Sequence, residues 1–255
     1  MIKLEGVSKT YEQTAALCTV DLTIQTGLST VLIGPSGCGK STLLRLIVGL
    51  IQPDTGTITI NGTSMSAKDA KYCVSISLRQ RMGYVIQEGG LFPHLTALKN
   101  VTLMAHYLGW EKEQIEKRID DLAELTRFPS DRLGCYPIEL SGGQRQRVSL
   151  MRALMLDPDI LLFDEPLAAL DPMIRSELQE DLKRIFQTLK KTVVWVTHDM
   201  GEASYFGDCI VLLRKGKIVQ SGTLKELVHS PADPFVTRFI NAQRSPLEMT
   251  LRQSS

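Results

Sequence analysis

The sequence has no excess of either charge: 29 lysines and arginines stand against 28 aspartates and glutamates, a formal net charge of +1 over 255 residues. A protein that grips nucleic acid by its phosphates carries a basic surplus, so DNA or RNA is not an expected partner. Cysteine is sparse and shows no pairing by spacing. Cys18, Cys38, Cys73, Cys135 and Cys209 are odd in number and contain no CxxC, which argues against a disulfide framework or a zinc site and fits a reducing compartment. Long apolar runs are missing too. The most hydrophobic stretches are short and broken by Gly, Pro, Lys or Asp, and no charged-then-apolar leader opens the sequence; no segment is expected to span a bilayer. There is no internal repeat and no low-complexity segment.

What is present is an alternation of strand and helix patterns. Met1 to Leu28 reads as strands through Ile2, Leu4 and Val7, then Leu17, Val20, Leu22 and Ile24, with mixed two-residue periodicity. Thr30 to Ile33 is a short buried-type run, followed by a Gly-rich loop and the helical pattern Leu43, Leu44, Leu46, Ile47, Leu50. Thr57 to Ile60 predicts a strand ending in a tight Asn61-Gly62 turn, Thr63 to Gln80 reads as irregular and polar, and Arg81 to Gln87 as another strand. Between Thr96 and Arg127 the apolar spacing predicts two or three helices with a break at Gly109. A helix after Ser141, a strand over Ile160 to Phe163, a helix from Pro172 to Leu189 and a strand over Val193 to Thr197 imply a largely parallel sheet. A hairpin around Lys215-Gly216 and short helices over Leu224 to Val228 and Phe235 to Ile240 close the pattern, and Ala242 to Ser255 reads as a polar, frayed tail.

Three motifs carry chemistry. Gly34-Pro35-Ser36-Gly37-Cys38-Gly39-Lys40-Ser41-Thr42 matches GxxxxGK[ST] between a strand and a helix. In such a loop backbone N–H groups surround phosphates, Lys40 neutralises β and γ oxygens and the Ser41 hydroxyl ligates Mg²⁺. Asp164 and Glu165 end the apolar strand beginning at Ile160, where α/β sheets bind their ligands. Asp164 suits Mg²⁺, directly or through water, and Glu165 suits a base that polarises attacking water; alone, a strand ending in Asp-Glu is also a common solvated turn. Ser141-Gly142-Gly143-Gln144 joins a hydroxyl, two residues without side chains and a helix start, either an anion site or an ordinary linker or N-cap. The length accommodates one large nucleotide-binding α/β domain, not two.

In this order the motifs resemble those of the ATP-binding-cassette (ABC) ATPases, over about Ile2 to Val228. The resemblance implies an α/β P-loop NTPase fold of the ABC type: a mixed, largely parallel core sheet, an antiparallel β subdomain and a helical subdomain at about 90–156 carrying Ser141, within one domain over 1–242 followed by the tail 243–255. It further implies adenine stacking on Tyr11, contact of Gln87 with the metal, the lytic water and a membrane subunit, communication across a dimer through Asp171, and contact of His198 with the γ-phosphate. Two such chains would stack head to tail, ATP lying between Lys40 of one and Ser141 and Gly143 of the other. The stretch Gly83 to Thr96 is similar to ATPases of glycine betaine and choline importers. The expected function is thus an ATP-hydrolysing motor for solute uptake, peripheral on the cytoplasmic face of the plasma membrane, working with a transmembrane permease and a solute-binding protein. ABC motors for another cargo, or a soluble ATPase switch acting on ribosomes or DNA, are the alternatives. Two departures from the family stand out. Thr63 to Gln80 is longer than the equivalent connection, and no tandem regulatory domain follows the motor, so ionic-strength sensing by one is not expected.

Overall fold

The computed structural model describes residues 1–68, 74–87 and 89–243, and the chain divides into two compact units, one drawn from Met1–Gln25, Ser29–Tyr72 and Val196–Ser255, the other from Thr26–Leu28 and Cys73–Trp195. The first unit opens with strands β1 (Ile2–Tyr11) and β2 (Thr14–Ile24), an antiparallel pair in which Leu4 faces Leu22 and Val7 faces Val20. Register slips between Leu4 and Val7, beside Gly6 at φ 60°. That irregularity explains the mixed periodicity, because one extra residue returns Val7 to the face already used by Ile2 and Leu4. β3 (Ser29–Ile33) is buried throughout, and helix α1 (Lys40–Val48) follows it. β4 (Thr55–Ile60) and β5 (Thr63–Ser66) complete an antiparallel sheet ordered β2-β1-β4-β5. Asn61 and Gly62 both take positive φ, the requirement of a two-residue hairpin turn.

In the second unit come helix α2 (Ile76–Gln80), strand β6 (Met82–Val85), helices α3 (Ala97–Tyr107), α4 (Lys112–Thr126) and α5 (Gly142–Leu154), strand β7 (Ile160–Asp164), helix α6 (Pro172–Leu189) and strand β8 (Thr192–Val196). Its strands lie in the order β8-β7-β6, with β6 parallel to β7. Phe163, Phe186 and Trp195 form the aromatic centre, ring centroids 4.9 to 6.1 Å apart. The chain returns to the first unit with α7 (Met200–Phe206), β9 (Cys209–Arg214), β10 (Lys217–Gly222), α8 (Leu224–His229) and α9 (Pro234–Ala242). β9 runs parallel to β3 and antiparallel to β10, and the turn between β9 and β10 puts Lys215 and Gly216 at positive φ.

Three sequence expectations change. The stretch from Thr63 to Gln80 is not wholly irregular: β5 pairs with β4, and α2 follows Ser75, whose hydroxyl accepts from the Leu78 N–H. β5 has one buried apolar residue, Met65, so its strand character comes from the ladder and not from its own pattern. Residues 69–73 of that stretch lie outside the described residues, as do 244–255 of the expected tail. The strand read as Arg81 to Gln87 stops at Val85; the Gly89 N–H donates to the Ile86 carbonyl, and Gly89 and Gly90 take positive φ, so a turn places Gln87 beyond the strand. Helix α7, which carries no periodic apolar pattern, is started by Asp199, whose carboxylate accepts from the Gly201 and Glu202 N–H groups. No helix among the described residues is long and apolar enough to cross a membrane.

Candidate nucleotide and signature loops

The Gly-rich loop between β3 and α1 is shaped by close packing of backbone on backbone. Gly34 sits at φ 151°, and a Cβ there would lie 2.2 Å from the Leu213 carbonyl oxygen and 2.8 Å from Cys38 Sγ. Gly39, at φ 107°, would bring a Cβ within 2.5 Å of the Ala16 carbonyl oxygen. Only glycine fits either position. Gly37, at φ 75° with nothing within 4 Å, sits in open space on the exposed crest with Pro35 and Ser36. Lys40 is buried, and its Nζ donates to the carbonyls of Gly34 at 2.8 Å and Pro35 at 3.2 Å. The ammonium thus lies back across its own loop. α1 has Gly39 as its N-cap, which supplies no side-chain acceptor. Ser41 and Thr42 open the helix, partly exposed, and Cys38 is buried.

Elsewhere in the first unit, Tyr11 closes β1 with 43% of its surface exposed and Lys9 Nζ 5.8 Å from its ring centroid. Lys9 is bound to Asp54 at 2.8 Å, and its hydrogen bond holds the Asp54 carboxyl below the usual range. His198 is exposed and follows the buried Thr197. Its carbonyl accepts from Gln243 Nε2 at 2.7 Å, a contact with no precursor in the sequence pattern.

In the second unit the two expected acidic residues differ. Asp164 is buried at the end of β7, where the Tyr84 hydroxyl of β6 donates to it at 3.4 Å. Glu165 takes φ 47°, left-handed backbone that costs a non-glycine residue on the order of 1 kcal/mol or more and collects at functional sites. Ser141 caps α5: its hydroxyl accepts from the Gln144 N–H at 3.2 Å while Gln144 Oε1 accepts from the Ser141 N–H at 2.9 Å. The N-cap alternative is therefore realised. Gly143 is buried, and a Cβ there would meet Ile174 Cγ2 of α6 at 2.7 Å; one at Gly142 would meet Leu170 at 3.1 Å. Asp171 in turn caps α6, accepting from the Met173 and Ile174 N–H groups.

Side chains that sequence reasoning passed over hold these loops. Arg147 of α5 donates to Asp181 of α6 at 2.6 Å and to the Thr126 carbonyl that ends α4. Arg127 and Arg184 reach the same carboxylate at 3.1 and 3.2 Å, and Asp181 has only 4% of its side chain exposed. Further along α5, Ser149 donates to the Gly89 carbonyl at 2.8 Å and Arg152 to the Gly89 and Gly90 carbonyls. The turn after the exposed Gln87 is thereby tied to the helix that Ser141 caps. Burial lowers the pKa of Arg152 from its ordinary value. Beside it lies an apolar groove of about 570 Å³ with Ile76, Tyr84, Phe92, Met104 and Tyr107 in its walls, Tyr107 being 77% exposed.

Among the described residues no cluster of three or more His, Cys, Asp or Glu could hold a metal. The fit to Mg²⁺ rests on donor chemistry alone: the Ser41 hydroxyl of the first unit and the Asp164 carboxylate of the second are, each by itself, hard oxygen donors of the kind this ion takes.

A strand, a loop that admits only glycine at positions 34 and 39 and a buried lysine laid across it, within mixed α/β architecture, define a P-loop nucleotide-binding protein. The sequence profile described as ABC transporter matches residues 17–168. The chain belongs to the ABC transporter family. It is 45% identical over 245 residues to the glycine betaine/carnitine/choline transport ATP-binding protein OpuCA of Bacillus subtilis (strain 168), covering 96% of this chain and 63% of that relative; it thus spans less than two thirds of that relative's length. It is 44% identical over 242 residues to the sulfate/thiosulfate import ATP-binding protein CysA of Synechococcus elongatus, covering 94% of this chain and 67% of that one. Among solved structures, the dimeric ATP-binding cassette MJ0796 in a post-hydrolysis state, bound to ADP and Pi, matches with a TM-score of 0.77 at 33% identity over 88% of this chain and 99% of that one.

Proposed function

We propose that this chain is the ATP-hydrolysing motor of an importer, acting as a head-to-tail pair on the cytoplasmic face of the plasma membrane with a transmembrane permease and a solute-binding protein. The observation that carries the motor reading is the loop at Gly34–Lys40, where Gly34 and Gly39 have no substitute and the lysine is pre-placed at the carbonyls of Gly34 and Pro35. We take residues 1–242 as one cassette domain with a helical subdomain at about 90–156. Lys40 and the loop N–H groups hold the ATP phosphates, Tyr11 stacks on adenine, and Ser41 and Asp164 hold Mg²⁺, with Gln87 beside the metal and the water. When bound, that ion neutralises phosphate charge. Glu165 polarises the attacking water, His198 contacts the γ-phosphate, and Ser141 to Gln144 and Asp171 serve the partner chain's nucleotide. Catalysis is phosphoryl transfer to water by positioning and charge stabilisation, and the surface near Gln87 passes the motion to the permease.

Likeness to a betaine, carnitine and choline transport subunit at 45% identity supports an osmoprotectant as cargo; 44% identity to a sulfate import subunit keeps an inorganic anion as the second reading. Both are tested by recovering the tagged chain from detergent-solubilised native membranes with its permease and measuring uptake into proteoliposomes. Betaine or choline accumulation with ATP consumption is expected. Sulfate accumulation selects the second reading, and recovery without any multi-span protein overturns both. Glu165→Gln in the purified chain should keep ATP binding, lower turnover by about 100-fold or more and trap a nucleotide-bound dimer in size-exclusion chromatography. Turnover near wild type removes Glu165 as the base.

A further inference from the structure

We propose that Gln243 is a positioning residue for His198, a role that rests on the reading of His198 as the γ-phosphate contact. The primary amide of Gln243 makes two hydrogen bonds to one short stretch of backbone: Nε2 donates to the His198 carbonyl at 2.7 Å, and Oε1 accepts from the Met200 N–H at 2.7 Å. Both backbone groups need an outside partner. Met200 is the first residue of α7, and the first four N–H groups of a helix have no acceptor within it, while the His198 carbonyl precedes the helix altogether. The Asp199 carboxylate takes the next donors, at Gly201 and Glu202, and leaves the Met200 N–H to Gln243.

Only a side chain with a donor and an acceptor on one planar group satisfies the pair, and of the two primary amides only glutamine has the longer reach. Glutamate would accept from Met200 but set a carboxylate oxygen against the His198 carbonyl; methionine would satisfy neither. The clamp has a firm base. Gln243 ends α9, its own N–H bonded to the Ile240 carbonyl, and α9 is seated by buried Val236 and Ile240 and by the Arg214 guanidinium 4.3 Å from the Phe235 ring centroid. The histidine backbone is therefore pinned on its β8 side by the Thr197 N–H to Leu32 carbonyl bond and on its other side by a residue 45 positions later. The bland alternative, that Gln243 merely fastens α9, has an internal comparison. Gln220 makes a like clamp away from His198, its Nε2 donating to the Ser230 carbonyl at 3.1 Å and the Glu226 carbonyl at 3.5 Å and its Oε1 accepting from the Ala232 N–H at 2.8 Å.

The test compares Gln243→Met with Gln220→Met in the purified full chain, reading Tm, affinity for a fluorescent ATP analogue, and kcat at saturating ATP. Both substitutions should lower Tm by a few degrees. Only Gln243→Met should lower kcat, by roughly tenfold, with analogue affinity within about twofold of wild type, the separation expected when a misplaced group acts in the transition state. Gln243→Glu, which keeps the acceptor but sets a carboxylate oxygen against the His198 carbonyl, should lower kcat at least as far as Gln243→Met. A Gln243→Met kcat equal to that of Gln220→Met, or a loss shared equally by affinity and turnover, overturns the proposal. His198→Ala separates the two levels: wild-type turnover there discards the γ-phosphate reading and this inference with it, whereas impaired His198→Ala beside a full-speed Gln243→Met discards the inference alone.

Discussion

The loop Gly34–Lys40, proposed to hold the phosphates, and the signature loop Ser141–Gln144, proposed to meet the partner's nucleotide, are built by opposite means. From Gly34 to Lys40 the path is dictated by neighbouring backbone: carbonyl oxygens of Leu213 and Ala16 stand where Cβ atoms would be, and even the lysine is held by carbonyls of its own loop. From Ser141 to Gly143 the backbone is an ordinary helix start, and side chains set its place: Gln144 closes the capping box, Ile174 crowds Gly143, and Arg147 locks α5 to Asp181 on α6. A backbone-built loop fails all at once when a crowded glycine such as Gly34 or Gly39 changes. A side-chain-held loop can be moved by degrees, which suits a surface proposed to engage and release a partner's nucleotide.

The largest effect expected from breaking this contrast is at Gly34. Gly34→Ala forces a Cβ against the Leu213 carbonyl at 2.2 Å and should cost about 4 kcal/mol, at the severe end of single substitutions, with nucleotide binding lost in calorimetry. Gly37→Ala has open space around it and should cost only the left-handed backbone penalty, about 1 kcal/mol. Equal losses at the two positions would show that backbone crowding does not govern the loop.

Next in size is Asp181→Ala. It leaves the largely buried Arg147 with the Thr126 carbonyl and no counter-charge, and it releases Arg127 and Arg184. A loss of about 3 kcal/mol is expected, because stranding one member of a buried pair costs far more than the pair contributes. Thermal unfolding measures it. If the signature helix depends on this lock, the ATP-trapped dimer of Glu165→Gln disappears when Asp181→Ala is added, while fluorescent ATP analogue binding persists. Persistence of the dimer would place the signature loop's support elsewhere.

The same contrast explains what the sequence makes legible. The Gly-rich loop, the Asp164-Glu165 strand end and α6 from Pro172 to Leu189 are local: spacing and composition suffice to read them, since sterics and caps act between near neighbours. The Arg147–Asp181 lock, the hold of Ser149 and Arg152 on Gly89 and Gly90, and the Gln243 clamp on the His198 carbonyl join residues 34 to 63 positions apart. No periodicity announces such pairs. β5 was illegible for a related reason, because Thr63 to Ser66 becomes a strand only through its partner, and the short α7 with its glycine at position 201 carries too little apolar pattern to register.

The smallest effect is the most discriminating, because the Ser141 hydroxyl has a structural use already: it accepts from the Gln144 N–H. Removing a serine cap for alanine costs about 1 kcal/mol, whereas glycine in its place costs only a few tenths. Ser141→Ala should therefore lower Tm and Ser141→Gly should nearly preserve it. If the hydroxyl serves only as a cap, ATP-driven dimerisation in the Glu165→Gln background will follow Tm and survive in the glycine variant. If it also contacts the partner's nucleotide, both variants lose the dimer despite their different stabilities, and that is the expected result. The Gly142 and Gly143 N–H groups lie in the first turn of α5, where the helix leaves donors without an internal acceptor, so an anion can be met there by backbone and hydroxyl together. Stability and dimerisation moving apart at Ser141 would place the two uses on one oxygen.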